Sequence, residues 1–360
     1  MASRDLAALF RGFSKLEGRG YSSLYERLSL TIADDPKLLA LLDTAPVHQR
    51  QPTLLYAALH DLVLAHPQAD LARWYPTVTG GPVPDDDVAP ALRAFCVAYE
   101  PEIRHLVSTR STQTNEVRRC AALVLAFDRI ATEVQRPLGL IELGASGGLN
   151  LLFDRFSYDY GELGTVGERG SPVHISTTLR GPRRPRLPAA AARAGRRIGI
   201  DLEPVDVRDP EATRWLEACL FADQLDRRDR LRAALTLARA DPPEMRQGDM
   251  LGLLPAAATD IPHNEHLCLV STWAVHYLAQ ERRRALDDLV REIGRRRDLS
   301  WVAAEPSGVL SGVSEPPVDP ETPHPTILSL TTIRTGTWRR RLLARTHSHA
   351  AWIEWLDRDL

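Results

Sequence analysis

The feature that most constrains this chain is a short apolar run that ends in a cluster of glycines. Leu138–Leu143 is followed by Gly144-Ala-Ser-Gly-Gly148 and then by a second apolar stretch, residues 149–156. A run this short reads as a buried strand, the glycines as a tight turn, and the stretch after them as a helix. Strand, turn and helix form the opening unit of a parallel α/β sheet. The alternation continues downstream, with strands expected at 197–201, 244–249, His266–Thr272 and 300–305, and helices between them at 213–220, 231–240 and 280–295. Two β-like runs, 326–335 and 337–347, flank Thr335-Gly336 and read as an antiparallel hairpin closing the sheet edge. Residues 133–360 are therefore expected to form a Rossmann-like α/β domain. Its sheet should be mostly parallel and seven-stranded, with Leu138–Leu143 near its centre. Residues 158–176 suggest a small hairpin, and the Arg/Pro/Ala-rich segment 180–197 an exposed loop.

Upstream, residues 1–132 read as an all-helical domain. Leu38, Leu39, Leu41 and Leu42 recur at helical spacing, as do Leu54, Leu55, Ala58, Leu59 and Leu62. Pro36 behind Asp34 and Asp35 has the composition of a helix start. A further helix is expected over residues 115–132. A net charge of −2 provides no field to recruit nucleic acid or an anionic membrane. Cys96, Cys120, Cys219 and Cys268 are far apart and form no C-x-x-C pair, so they suggest buried free thiols rather than a disulfide framework or a zinc site. The N-terminus lacks a signal-peptide core, and no run approaches the ~20 apolar residues of a membrane span. The expected location is cytoplasmic.

Glycines in the first strand–helix turn let a ligand approach the backbone, and helix-start N–H groups bind its polar atoms. The acidic residue at the strand end, Glu142, argues against a pyrophosphate, which it would repel. It suits a ligand carrying an ammonium group or sugar hydroxyls, and S-adenosylmethionine carries both. The cofactor contacts expected on this reading are Glu142, Gly144, Ser146, Gly147 and Gly148, with Asp201 at the ribose and Asp249 near the adenine. Glu142 and Asp201 are 59 positions apart, against roughly 20 in common dinucleotide folds, and the segment 158–197 accounts for the excess.

Several motifs together resemble the bacterial "domain of unknown function 2332" family. They are Gln113-Thr-Asn-Glu116, the run from Glu142 to Leu152 with Asp154-Arg155, Gly199-Ile-Asp201 with Pro204-Val-Asp206, and Trp352-Ile-Glu-Trp355. The resemblance spans nearly the whole chain and implies a methyltransferase-like fold with no established reaction. The turn also resembles the first motif of class I methyltransferases, with Ser146 where a middle glycine is usual.

Gln113, Asn115 and Glu116 precede an apolar helical stretch. They are candidate substrate contacts, or else part of a helix cap built on Thr112 or Thr114. Asn150 and Asp154, four apart, are further substrate-contact candidates. His276, after the fourth expected strand, is a candidate general base, and Glu305, ending the fifth, a candidate catalytic carboxylate. His263 and His266, or His347 and His349, lack an evident third ligand, so no metal is expected. The expected function is a transferase acting on a small molecule with S-adenosylmethionine. The alternatives are a substitution or elimination enzyme on the same scaffold, and a non-catalytic binding or regulatory protein. The expected partner is a small-molecule substrate, with homo- or hetero-oligomers open.

Overall fold

The computed structural model describes residues 5–18, 20–188, 191–313, 315 and 325–357. In chain order its strands are β1 (Leu138–Leu143), β2 (Ser157–Asp159), β3 (Thr165–Gly167), β4 (His174–Ser176), β5 (Thr178–Arg180), β6 (Ala194–Asp201), β7 (Glu244–Gln247), β8 (His266–Thr272), β9 (Leu299–Pro306), β10 (Thr326–Arg334), β11 (Thr337–Thr346) and β12 (Trp352–Trp355). The α-helices are α1 (Leu6–Phe13), α2 (Ser23–Ala33), α3 (Pro36–Leu39), α4 (Pro52–Ala65), α5 (Pro76–Thr79), α6 (Ala89–Ala98), α7 (Glu100–Thr109), α8 (Cys120–Val134), α9 (Pro210–Ala218), α10 (Leu225–Ala240), α11 (Met250–Asp260) and α12 (Gln280–Arg296).

The chain divides into two compact units. One comprises Met1–Thr114 with Arg208–Leu231, the other Asn115–Val207 with Arg232–Leu360. The sequence reading divides the chain at 132/133 instead. Helix α8 belongs with the sheet because it packs on β9, β10 and β11.

In the first unit the helices start where side chains satisfy free N–H groups. Asp5, Ser22 and Asp35 accept from Ala8, Tyr25 and Lys37, and Pro36 occupies the first turn of α3. Its core gathers Phe10, Tyr25, Tyr56, Leu59, Tyr75 and Trp215. His60 is fully buried there, with Nδ1 against the Ala218 and Leu220 carbonyls and Nε2 on Thr77 Oγ1. That is a structural role.

The second unit holds a nine-stranded sheet in the order β5-β12-β11-β10-β9-β8-β1-β6-β7, not the expected seven. The excess comes from β12 and β5, which extend the sheet beyond the hairpin. Their three or four residues are too short to show a periodic pattern. Strand β1 pairs in parallel with both β6 and β8 and is the middle of five parallel strands. In chain order these five run 3-2-1-4-5, the doubly wound pattern, with its reversal between β1 and β8. Strands β10 and β11 form the antiparallel hairpin, and β10 is also antiparallel to β9. Ile141, Leu143, Ile198, Leu269 and Trp301 share a core with Leu254 of α11 and Leu286 of α12. The alternate positions of β1, including Leu140 and Glu142, point to the opposite face.

Two further local expectations need correction. Residues 149–156 form no α-helix. Leu149–Arg155 is a 3₁₀ stretch kinked at Leu152, entered from a left-handed Gly148 with no side-chain cap. Residues 157–176 form a three-stranded sheet, β3-β2-β4, rather than a hairpin, because β4 adds in parallel to β2.

Candidate functional site

Strand β1 delivers Glu142 to the C-terminal edge of the sheet, beside the reversal point, where α/β folds bind ligands. Its side chain is 1% exposed. Oε1 accepts a hydrogen bond from Asn150 Nδ2 at 2.8 Å, while Oε2 has no partner among the described residues. Burial pushes this carboxyl up to about 8. The Asn150 bond and the Arg119 charge oppose that rise, and the Asp201 charge adds to it. An uncharged Glu142 accords with burial, because an isolated buried carboxylate is costly.

A polar shell surrounds it. Asn150 Nδ2 also lies 3.4 Å from Thr272 Oγ1, and the Cys120 thiol donates to Asn150 Oδ1 at 3.4 Å. Arg119, buried ahead of α8, donates to the Thr272 carbonyl at 3.4 Å and to the Ser348 carbonyl at 3.0 Å. Its guanidinium stands 5.6 Å from the centre of the Trp273 ring.

The glycine turn is closed by its own bonds. Gly144 and Ala145 N–H both donate to the Ile200 carbonyl, at 2.8 and 3.1 Å, and Gly148 N–H donates to Ala145 at 2.7 Å. Ser146 N–H donates to Asp201 Oδ2 at 2.8 Å, and Asp201 Oδ1 accepts from Glu203 N–H at 2.9 Å. Asn115 Nδ2 donates to Ser146 Oγ. Gly144 has a φ of 74°, and a Cβ there would lie 2.4 Å from the Ala274 Cβ, so a bare backbone is needed where the β1 and β8 ends meet.

Strain gathers at the same edge. Among the described residues five non-glycine positions have left-handed φ. Gln135 ends α8 and Thr335 makes the hairpin turn. The other three are Ser146 (51°), Trp273 (56°) and Ala350 (51°). Ser146 and Trp273 follow the ends of β1 and β8, and Ala350 lies two residues after the carbonyl that Arg119 holds. Such backbone costs of order 1–3 kcal/mol per residue and clusters at functional sites.

Behind Trp273 stands Glu305, fully buried at the end of β9. Its Oε1 accepts from the N–H groups of Ala274 (3.3 Å) and Val275 (3.2 Å), and its Oε2 from His276 (3.4 Å). The His276 imidazole presents Nδ1 3.8 Å from Glu305 Oε2 and packs on Tyr277, which is exposed.

The structure thus joins Glu142 to Asn150 and, separately, Ser146 to Asn115 and Asp201 at the β1 end, with His276 and Glu305 paired at the neighbouring strand ends. Other candidates have different partners. Glu116 caps a 3₁₀ turn by accepting from Arg118 N–H at 3.1 Å, so the cap is built on Glu116 rather than on Thr112 or Thr114. Gln113 lies in the first unit, where its N–H reaches Cys219 Sγ at 3.5 Å. Asp154 grips Arg197 with both oxygens at 2.9 Å. Asp249 caps α11 through Gly252 N–H at 3.2 Å and pairs with Arg282. Gly147 is buried within the turn. His266 is neutral, because burial depresses its imidazole to about 3, and its Nε2 meets Ser300 Oγ at 3.0 Å.

Arg119 and Cys120 are site residues that the motif reading passes over. Arg119 does carry a signal. A cation entering a helix N-terminus opposes the macrodipole, which suggests a charge needed elsewhere.

Among the described residues no helix is long and apolar enough to cross a membrane. No curated protein and no solved structure matches the chain. One family model does, that of an uncharacterized protein conserved in bacteria (DUF2332), over residues 7–355. With its motifs lodged at the β1 edge and the match running through almost every element described, the chain belongs to the DUF2332 family.

Proposed function

We propose that this chain is a small-molecule transferase that takes a methyl group from S-adenosylmethionine at the β1 edge. The observation that carries this reading is Glu142 Oε2, a buried acceptor at the end of the middle parallel strand with no partner among the described residues. A ligand ammonium placed against it supplies the missing donor and stabilises the ionised carboxylate. Asp201, whose oxygens each accept one backbone bond, retains lone pairs for ribose hydroxyls, and on this reading Asp249 would serve the adenine. Bound there, the donor would supply the methyl group, and holding donor and substrate nucleophile in register would supply much of the rate. His276, held by Glu305, takes the proton the nucleophile gives up. Mass spectrometry of small molecules released from the purified protein tests the reading directly. S-adenosylmethionine or S-adenosylhomocysteine is the expected finding.

One observation favours a second reading, in which the same edge serves an enzyme without a methyl donor. The N–H groups of Gly144, Ala145, Ser146 and Gly148 are all engaged within the protein, and Ser146 places a hydroxyl where a middle glycine leaves space. A released ligand that carries an ammonium but no adenosine supports that alternative. A protein that releases nothing and binds neither adenosyl compound is better explained as non-catalytic.

A further inference from the structure

The turn that follows β8 carries three rings in a row. Trp273 and His276 have ring centres 5.3 Å apart, and His276 and Tyr277 3.8 Å apart. Trp273 is half-buried, the His276 side chain is 20% exposed and Tyr277 is 81% exposed. A lone exposed tyrosine is ordinary on a protein surface. This one packs against a candidate base, at the sheet edge where α/β folds bind ligands. The backbone is strained to make the arrangement. Left-handed φ is rare for a bulky side chain, yet Trp273 holds 56°. Its N–H on the Ala304 carbonyl at 2.9 Å and its indole N–H on Thr326 Oγ1 at 2.8 Å fix it there.

The imidazole of His276 has a defined direction. Nδ1 is buried, 3.8 Å from Glu305 Oε2 and with no hydrogen-bond partner among the described residues. A carboxylate on that side favours the proton on Nδ1 and leaves the lone pair on Nε2. That lone pair lies in the imidazole plane, and Tyr277 flanks the same ring at an interplanar angle of 40°. A hydroxyl that donates to Nε2 therefore brings the group bearing it alongside Tyr277. Two considerations select an aromatic group. An imidazole takes a proton from a phenolic hydroxyl, of pKa about 10, far more readily than from an aliphatic one, which resembles water at about 15.7. An aromatic ring also meets Tyr277 edge to face, an arrangement that aromatic pairs favour. A cation is disfavoured there. The Arg119 guanidinium stands 5.6 Å from the Trp273 ring centre, and Arg283 donates to the His276 carbonyl at 2.6 Å.

We propose that the acceptor bound at this edge is a phenolic compound, with Tyr277 packing against its ring and His276 Nε2 accepting its hydroxyl proton. A phenol is then the acceptor of the proposed methyl transfer, and that part rests on the reading of the Glu142 edge. The binding itself needs only the residues that follow β8.

Para-nitrophenol tests this on the full chain without a methyl donor, because its phenolate absorbs visible light and the phenol does not. Para-nitroanisole has the same ring and no proton, cyclohexanol has a hydroxyl and no aromatic ring, and tetramethylammonium has a charge that an aromatic face alone can bind. In calorimetry para-nitrophenol should bind saturably and more tightly than the other three. The phenolate band should rise on binding at a pH below the free compound's own ionisation. Tyr277→Ala, an exposed change, should weaken binding by about tenfold or more, whereas Tyr277→Phe should retain it. His276→Gln should abolish the absorbance rise and leave the weaker binding of para-nitroanisole in place. Lack of saturation at millimolar para-nitrophenol overturns the proposal, as does undiminished binding by Tyr277→Ala or an absorbance rise that His276→Gln leaves intact. Tighter binding of cyclohexanol or tetramethylammonium removes the phenolic class. A chain that binds S-adenosylmethionine but not para-nitrophenol overturns this assignment alone. A chain that binds and ionises para-nitrophenol but ignores S-adenosylmethionine keeps the phenol site and loses the transferase reading.

Discussion

Glu142 holds a proton more tightly in the folded chain than in the unfolded one, because burial disfavours its charge. The sign of the consequence follows from linkage. The stability lent by the protonated carboxyl is present in full below the ordinary value of 4.5 and is lost as pH rises through about 8. Glu142→Gln keeps the shape and the Asn150 contact but cannot ionise. Between pH 5 and 8 the wild type should lose stability relative to this variant by roughly 1.4 kcal/mol per pH unit. Denaturant unfolding at several pH values measures it, and a pH-independent difference contradicts the burial of an uncharged carboxyl. Gly144 is tested by Gly144→Ala. Left-handed backbone and a Cβ 2.4 Å from that of Ala274 should together cost about 1–3 kcal/mol, read as a fall in the denaturation midpoint. Wild-type stability in that variant means that the turn has room to move.

At the scale of elements, the β8 and β9 ends are held as a unit by Glu305, whose carboxylate accepts three successive N–H groups. Glu305→Gln, which can accept through only one of its two terminal atoms, should destabilise the chain by about 1–3 kcal/mol. Hydrogen exchange at Ala274, Val275 and His276 should accelerate, and unchanged protection there contradicts the anchoring role. Elements carried by an uninterrupted apolar run were legible in the sequence. Strands β1 and β8 lie on the expected residues, as does most of the β10–β11 hairpin. Elements whose structure depends on distant partners were not. The stretch after Gly148 is apolar enough for a helix, but Asn150 turns inward to Glu142 and the backbone kinks at Leu152. Strands β5 and β12 exist only because β12 pairs with β11 and with β5, the latter across more than a hundred residues of chain. The candidate site divides in the same way. Glu142, Ser146, Asn150 and Asp201 could be found from the glycine turn and the strand ends, whereas Cys120 and Arg119, the latter marked only by its charge at a helix start, enter through tertiary hydrogen bonds.

At the scale of the molecule, a doubly wound order in five parallel strands and a family match over residues 7–355 give the chain a fold class and a lineage. Neither supplies a reaction, since fold and function separate freely. The reaction is a question about the β1 edge and whether Glu142 Oε2, without a partner among the described residues, meets a ligand ammonium. Calorimetry of S-adenosylmethionine and S-adenosylhomocysteine near pH 7, in two buffers of different ionisation enthalpy, tests this most directly. Saturable binding with release of a proton from Glu142 is the predicted result. Glu142→Gln should abolish the release and weaken binding by about tenfold or more, the loss of one charge-assisted hydrogen bond. Absence of heat and of competition at millimolar ligand, or binding without proton release that Glu142→Gln leaves unchanged, contradicts it.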